Sequence, residues 1–129
     1  MIVVDTNVLV YATLSDSEFF DKSVEIIQRE DVIIPQIVVY EYIKVMIELT
    51  KDLSFVKTKL RELENFNVNQ ETLGIIEKGI DMLEKDNGSL KDINDYVILS
   101  FAIHHKAKLA TYDRKLRKIA KEKGIEILP

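Results

Sequence analysis

Two short runs of branched apolar residues, Ile2-Val3-Val4 and Val32-Ile33-Ile34, are each followed almost at once by a stretch with helical spacing, and this pairing restricts the fold more than any other feature of the chain. A run that is apolar at every position suits a strand covered on both faces, whereas a strand with one wet face alternates. Residues 108–111 (KLAT) and 125–128 (IEIL) read as two further strands. Helices are expected near 8–14, 18–30, 36–50, 53–65, 70–86, 92–106 and 113–123. Residues 66–68 (FNV) fit neither pattern decisively, and Asn87-Gly88-Ser89 is a turn cluster between two helices. Strands that alternate with helices form a central, mainly parallel sheet with right-handed crossovers, which is a three-layer α/β/α architecture. At 129 residues the chain is long enough for one core and too short for two, so a single domain over 1–129 is expected.

In open sheets of this kind ligands gather beyond the carboxyl ends of the strands, and several acids fall at that edge. Asp5 directly follows strand 2–4, and Asp113 follows strand 108–111 by two residues. Helix 92–106 opens on Asp92 and Asp95. Glu41 lies about five residues into helix 36–50, roughly 7.5 Å along its axis, with a side chain that leans back toward the helix start. Each has a purely structural alternative. Asp5 reads equally well as a helix N-cap, Asp113 taken alone reads better as one, and Asp92 and Asp95 complement the positive end of a helix. Asp95, however, precedes "YVILSFAI", so its helix is buried on nearly every side and the carboxyl sits at the mouth of a cleft. Glu41 shares its stripe with Lys44 and Glu48, and periodicity by itself assigns it to a solvated face.

If these acids converge, their mutual repulsion calls for a cation among them. A hard divalent ion such as Mg²⁺ or Mn²⁺ prefers oxygen ligands and commonly binds through a few carboxylates together with substrate phosphates. The matching chemistry is metal-assisted hydrolysis of a phosphodiester. Asn7 and Thr111 lie at the same edge and are candidates to orient the acids from behind, with turn and strand-end roles as the alternative.

Charge is unevenly placed. Between His104 and Gly124 eight basic residues stand against Asp113 and Glu122, a balance of +6, so the remainder carries −10 of the net −4. Arg114, Lys115, Arg117 and Lys118 are the candidates for meeting a polyanion there; a solvated lysine-rich helix face is the plainer reading. His104 and His105 sit at the far end of their helix, away from the acids, and Tyr40, Tyr42 and Tyr96 read as core or interface residues rather than platforms for bases. No cysteine is present, which excludes thiol chemistry and disulfides. The apolar start has no basic leader or cleavage site, and Asp5 and Asn7 interrupt it, so a cytoplasmic protein with no membrane span is expected.

Together these segments resemble the PIN-domain family, which includes the VapC toxins of bacterial and archaeal toxin–antitoxin pairs. "IVVDTNVLVYA" resembles the family's opening, "IIPQIVVYEYI" its proline-started helix bearing a glutamate, and "DINDYVILSFAIHHKAKLATYDRKL" its aspartate-headed apolar helix followed by Thr-x-Asp. The blocks occur in family order across nearly the whole chain. The resemblance implies a Mg²⁺- or Mn²⁺-dependent endoribonuclease with Asp5, Glu41, Asp95 and Asp113 as its acidic site, and it overrides the solvated-face reading of Glu41. It also implies a homodimer and a small VapB-like antitoxin that covers the site. The wide apolar arc of helix 36–50 suits such a partner, or burial between sheet and neighbouring helix. Two positions depart from the pattern. Leu116 stands where phenylalanine is frequent, and Tyr96 stands where alanine is common and is expected to narrow or reshape the site, while Asp92 competes with Asp95 as ligand. PIN domains also serve RNA processing and decay without antitoxins, and a non-catalytic PIN-like binding module would keep the fold. A haloacid-dehalogenase phosphatase would need a second carboxylate where Asn7 stands, and a response regulator would need adjacent acids that the chain lacks.

Overall fold

The computed structural model describes residues 1–129. Five strands, β1 (Ile2–Val4), β2 (Val32–Pro35), β3 (Asn67–Asn69), β4 (Lys108–Ala110) and β5 (Ile127–Leu128), form one sheet in the order β3-β2-β1-β4-β5. Every pairing is parallel, with Val3 opposite Ile33 on one side and Leu109 on the other. The central β1 is shielded completely, which is why its sequence shows no alternation. The undecided stretch at 66–68 resolves as the edge strand β3. It is a strand because it pairs along β2 rather than through its own apolar pattern, two of its three residues being asparagine.

Seven helices flank the sheet: α1 (Thr6–Thr13), α2 (Phe20–Ile27), α3 (Gln36–Thr50), α4 (Leu53–Glu62), α5 (Leu73–Lys85), α6 (Ile93–His104) and α7 (Arg114–Glu122). The layering is the expected α/β/α arrangement. Helix α1 begins two residues earlier than its apolar pattern suggests, because the Asp5 carboxylate accepts the Thr6 N–H and caps it there. Helix α6 is buried without interruption from Tyr96 to Ala102, as a helix apolar on all sides must be. It lies so close to α5 that a Cβ on Gly79 would stand 3.1 Å from the Tyr96 carbonyl oxygen and 3.2 Å from the Val97 Cα. No helix is long and apolar enough to cross a membrane.

The chain moves outward from β1 to β3 on one side and then returns to build β4 and β5 on the other. Strand order therefore reverses between β1 and β4, and the crevice beyond their carboxyl ends is where such sheets receive ligands.

Candidate active site

Asp5 stands at that reversal point. It is 6 % exposed, its backbone N–H continues the ladder to the Ala110 carbonyl at 2.9 Å, and its carboxylate is bonded on both oxygens. Oδ1 accepts the Thr6 N–H at 2.7 Å, while Oδ2 accepts the Thr111 hydroxyl at 2.7 Å and the Asn7 amide at 3.3 Å. Burial raises its pKa above the usual carboxylate value; the bonds from Thr111 and Thr6 pull it back, and the charges of Glu41 and Asp113 push it up further. Thr111 is wholly buried at the end of β4 and ties two acids together, since its hydroxyl donates to Asp5 and accepts the Asp113 N–H at 3.1 Å. Asn7 closes the arrangement by accepting the Tyr112 N–H at 3.1 Å.

Glu41 reaches the same place from α3. Its Oε1 accepts the Thr6 hydroxyl at 2.7 Å and its Oε2 the Asn94 amide at 3.1 Å, so α1 and α6 both hold it. Asp113 caps α7 by accepting the Leu116 N–H at 2.9 Å, so the structural reading of that residue is fulfilled without removing its carboxylate from the crevice. Asp95, in the first turn of α6, receives no hydrogen bond from the chain. Burial, followed by the charges of Asp5, Asp113, Glu41 and Asp92, pushes its pKa up to about 7.

Asp5, Glu41, Asp95 and Asp113 line one cleft of about 500 Å³, whose other wall includes Val10, Tyr11 and Leu14. The set consists only of hard oxygen donors, and the pKa of one of them, Asp95, is raised first by burial and then by the charges of the others, which is a strain a Mg²⁺-like ion would relieve. No three of these groups stand close enough to form a ready-made cage. The fit is therefore one of donor type and charge, suited to an ion that keeps much of its water and borrows oxygens from a substrate.

The remaining candidates divide. Asp92 lies outside the acidic cleft, in a neighbouring cavity, where it is ion-paired with Lys115. Arg117 donates to the backbone carbonyls of Thr111 (2.8 Å), Leu128 (3.3 Å) and Pro129 (3.1 Å), fastening the C-terminal strand. Arg114 and Lys118 are exposed and form no ion pair. Tyr96 does not narrow the cleft, because its ring is buried beside Gly88 and its hydroxyl donates to Asp86 at 2.9 Å. Tyr42 is buried as expected, but Tyr40 is 68 % exposed and belongs to no core. His105 packs on Phe101 at the far end of α6, with ring centroids 4.4 Å apart.

Sequence reasoning missed Thr6 and Asn94 as the two supports of Glu41. Thr6 carried a signal, since a residue beginning a helix next to a cleft acid has its hydroxyl at the same edge. Asn94 carried none, because its bond spans 53 residues. Also missed was Tyr11, which stands in the cleft wall with ring centroids 5.1 Å from Phe19 and 5.5 Å from Tyr112.

The sequence pattern of the PIN domain family matches residues 2–122. A search of curated proteins finds no match. Among solved structures, a toxin–antitoxin complex from Klebsiella pneumoniae superposes with a TM-score of 0.75 at 19 % identity, covering 100 % of this chain and 97 % of that one. VapBC2 from Rickettsia felis, bound to a DNA fragment from its promoter, gives 0.73 at 19 % identity over 99 % and 98 %. The sarcin-ricin loop cleaving toxin VapC20 of Mycobacterium tuberculosis gives 0.78 at 10 % identity over 92 % and 95 %. At these identities the likeness is one of fold.

Proposed function

The chain belongs to the PIN domain family, and on that premise we propose that it is a Mg²⁺- or Mn²⁺-dependent endoribonuclease, built as a single domain over 1–129 and acting as the toxin of a VapBC-type pair. The observation that carries this reading is the convergence of Asp5, Glu41, Asp95 and Asp113 from four separate elements on one cleft. Asp5 and Asp95 are assigned to hold the ion, and Glu41 and Asp113 to complete the site. When bound, the cation supplies Lewis-acid polarisation of the phosphoryl group and an activated water.

The chain's own residues supply orientation. Thr111, Asn7 and the Thr6 N–H fix both oxygens of Asp5, and Thr6 and Asn94 fix both oxygens of Glu41, so these acids need little reorganisation as substrate arrives. Asp95, free of donors, has its carboxyl available to a cation. Of the four basic candidates, Arg114 and Lys118 remain free to hold flanking phosphates, contacts that add salt-dependent affinity without choosing a sequence. The assignment to RNA, the homodimer, the VapB-like antitoxin and a cytoplasmic location accompany this reading through the family and through the fold shared with toxin–antitoxin complexes. The same site would serve an RNA-processing or decay nuclease that has no antitoxin.

The test is cleavage of a mixed RNA pool by the purified chain with Mg²⁺, Mn²⁺ or EDTA, beside an identically prepared Asp5→Asn variant. Cutting that needs the metal and falls by at least about 100-fold in the variant is the expected result. Equal cutting by both proteins, or cutting that survives EDTA, would contradict it. A folded protein that neither cuts RNA nor binds metal would instead be a binding module.

A further inference from the structure

Glu41 has two sides. One faces the acidic cleft; the other lines a shallow groove of about 350 Å³ between the exposed face of α3 and the first turn of α6, and Val45 is likewise common to both. The two depressions are therefore contiguous along the carboxyl edge of the sheet. Three side chains in the groove are left wholly or partly uncommitted. Tyr40 is 68 % exposed. Lys44, one turn further along α3, forms no ion pair. Asn94 uses its amide nitrogen on Glu41 and leaves its carbonyl oxygen free.

An aromatic face, an uncommitted cation and a free amide oxygen are the three kinds of group that hold one unpaired nucleotide. The ring stacks on a base, the ammonium meets a phosphate, and the amide meets a base edge. A protein segment would instead need a contiguous apolar surface, and here only Ile37 and Val45 accompany the tyrosine, with Glu48 on the rim. We propose that this groove is a nucleotide subsite: it takes one unpaired nucleotide of a single-stranded RNA next to the phosphodiester that lies among the acids, with Tyr40 as stacking platform and Lys44 as phosphate contact. The inference rests on the ribonuclease reading and adds to it a path for the strand over Glu41, on the side of the cleft opposite the basic helix α7.

The experiment uses the full chain carrying Asp5→Asn, so that bound RNA stays intact, and a short mixed-sequence oligoribonucleotide containing 2-aminopurine, whose fluorescence falls when it stacks. Adding Tyr40→Ala should weaken binding by about 10-fold and abolish the quenching, and Tyr40→Trp should restore both. Adding Lys44→Gln should flatten the slope of log affinity against log salt by about 0.7. Both side chains are exposed, so neither change threatens folding. If the unsubstituted chain cuts RNA while Tyr40→Ala and Lys44→Gln leave binding and quenching as they were, the subsite is refuted and the ribonuclease stands. If the unsubstituted chain neither binds nor cuts RNA, the subsite falls together with the reading beneath it. If the two substitutions spare RNA but loosen a co-expressed protein partner, the groove belongs to that partner and the proposal is wrong.

Discussion

At Asp95 burial and four neighbouring carboxylates raise the carboxyl pKa from 3.8 to about 7, and the sign of the consequence is unusual for an acid. The folded protein binds this proton more tightly than the unfolded chain, so stability is lost as pH rises from near 4 and the full penalty is present above 7. The complete shift would correspond to about 4 kcal/mol, and partial solvent access reduces it to about 2 kcal/mol. Asp95→Asn should therefore be more stable than the parent by about that amount at pH 8 and indistinguishable near pH 3.5, a comparison that denaturant unfolding at the two pH values makes directly. A variant that is less stable at pH 8 would mean that Asp95 is held by contacts the structure does not contain. Residue by residue, Asp5 and Asp95 were legible because each is a charge set against a run of apolar neighbours. Periodicity alone did not single out Glu41, which only the family resemblance named, because the hydroxyl and the amide that hold it come from elements 35 and 53 residues away.

Helix α7 separates two tasks that one residue performs. Asp113 caps the helix through the Leu116 N–H and also contributes charge to the cleft. Asparagine caps nearly as well as aspartate, whereas alanine forfeits the cap at a cost of about 1 kcal/mol. Asp113→Asn should keep the parent's melting temperature and lose nuclease activity, while Asp113→Ala should lose both; equal stability for the two variants would remove the cap from the account. Helix α5 illustrates the opposite pressure. Alanine in place of a mid-helix glycine normally gains roughly 1 kcal/mol, but at Gly79 the new Cβ meets α6 backbone at 3.1 Å, and backbone yields poorly. Gly79→Ala should destabilise by about 1 to 2 kcal/mol in thermal or denaturant unfolding and disturb activity through the displaced first turn of α6. A gain in stability would show that the two helices are free to separate. At this scale the buried elements β1, β2 and α6 were readable from composition alone. The edge strand β3 was not, since its place is set by β2 rather than by its own residues.

Over the whole molecule, the topology makes the site. Strand order reverses between β1 and β4, which brings the residue after one strand and the Thr-x-Asp after another into a single crevice, and α3 and α6 start at the same edge. This much follows from an alternation of strands and helices that the sequence displays. The expected basic surface is smaller than the sequence suggests: Lys108, Lys115 and Lys123 are ion-paired with acids from other segments of the chain, and Arg117 is spent on the carbonyls of Thr111 and the C-terminal residues. In the proposed function the four acids of the cleft, among them Asp95 with its pKa raised to about 7, receive a cation. Calorimetric titration of Mn²⁺ into the parent chain and into Asp95→Asn at about pH 6.5, where most of the Asp95 carboxyl holds its proton, tests that most directly. We expect the parent to bind Mn²⁺ with release of protons and the variant to bind at least about tenfold more weakly with little release. A parent that takes up no Mn²⁺, or a variant that binds it equally well, would contradict the claim that this cleft is a metal-dependent active site.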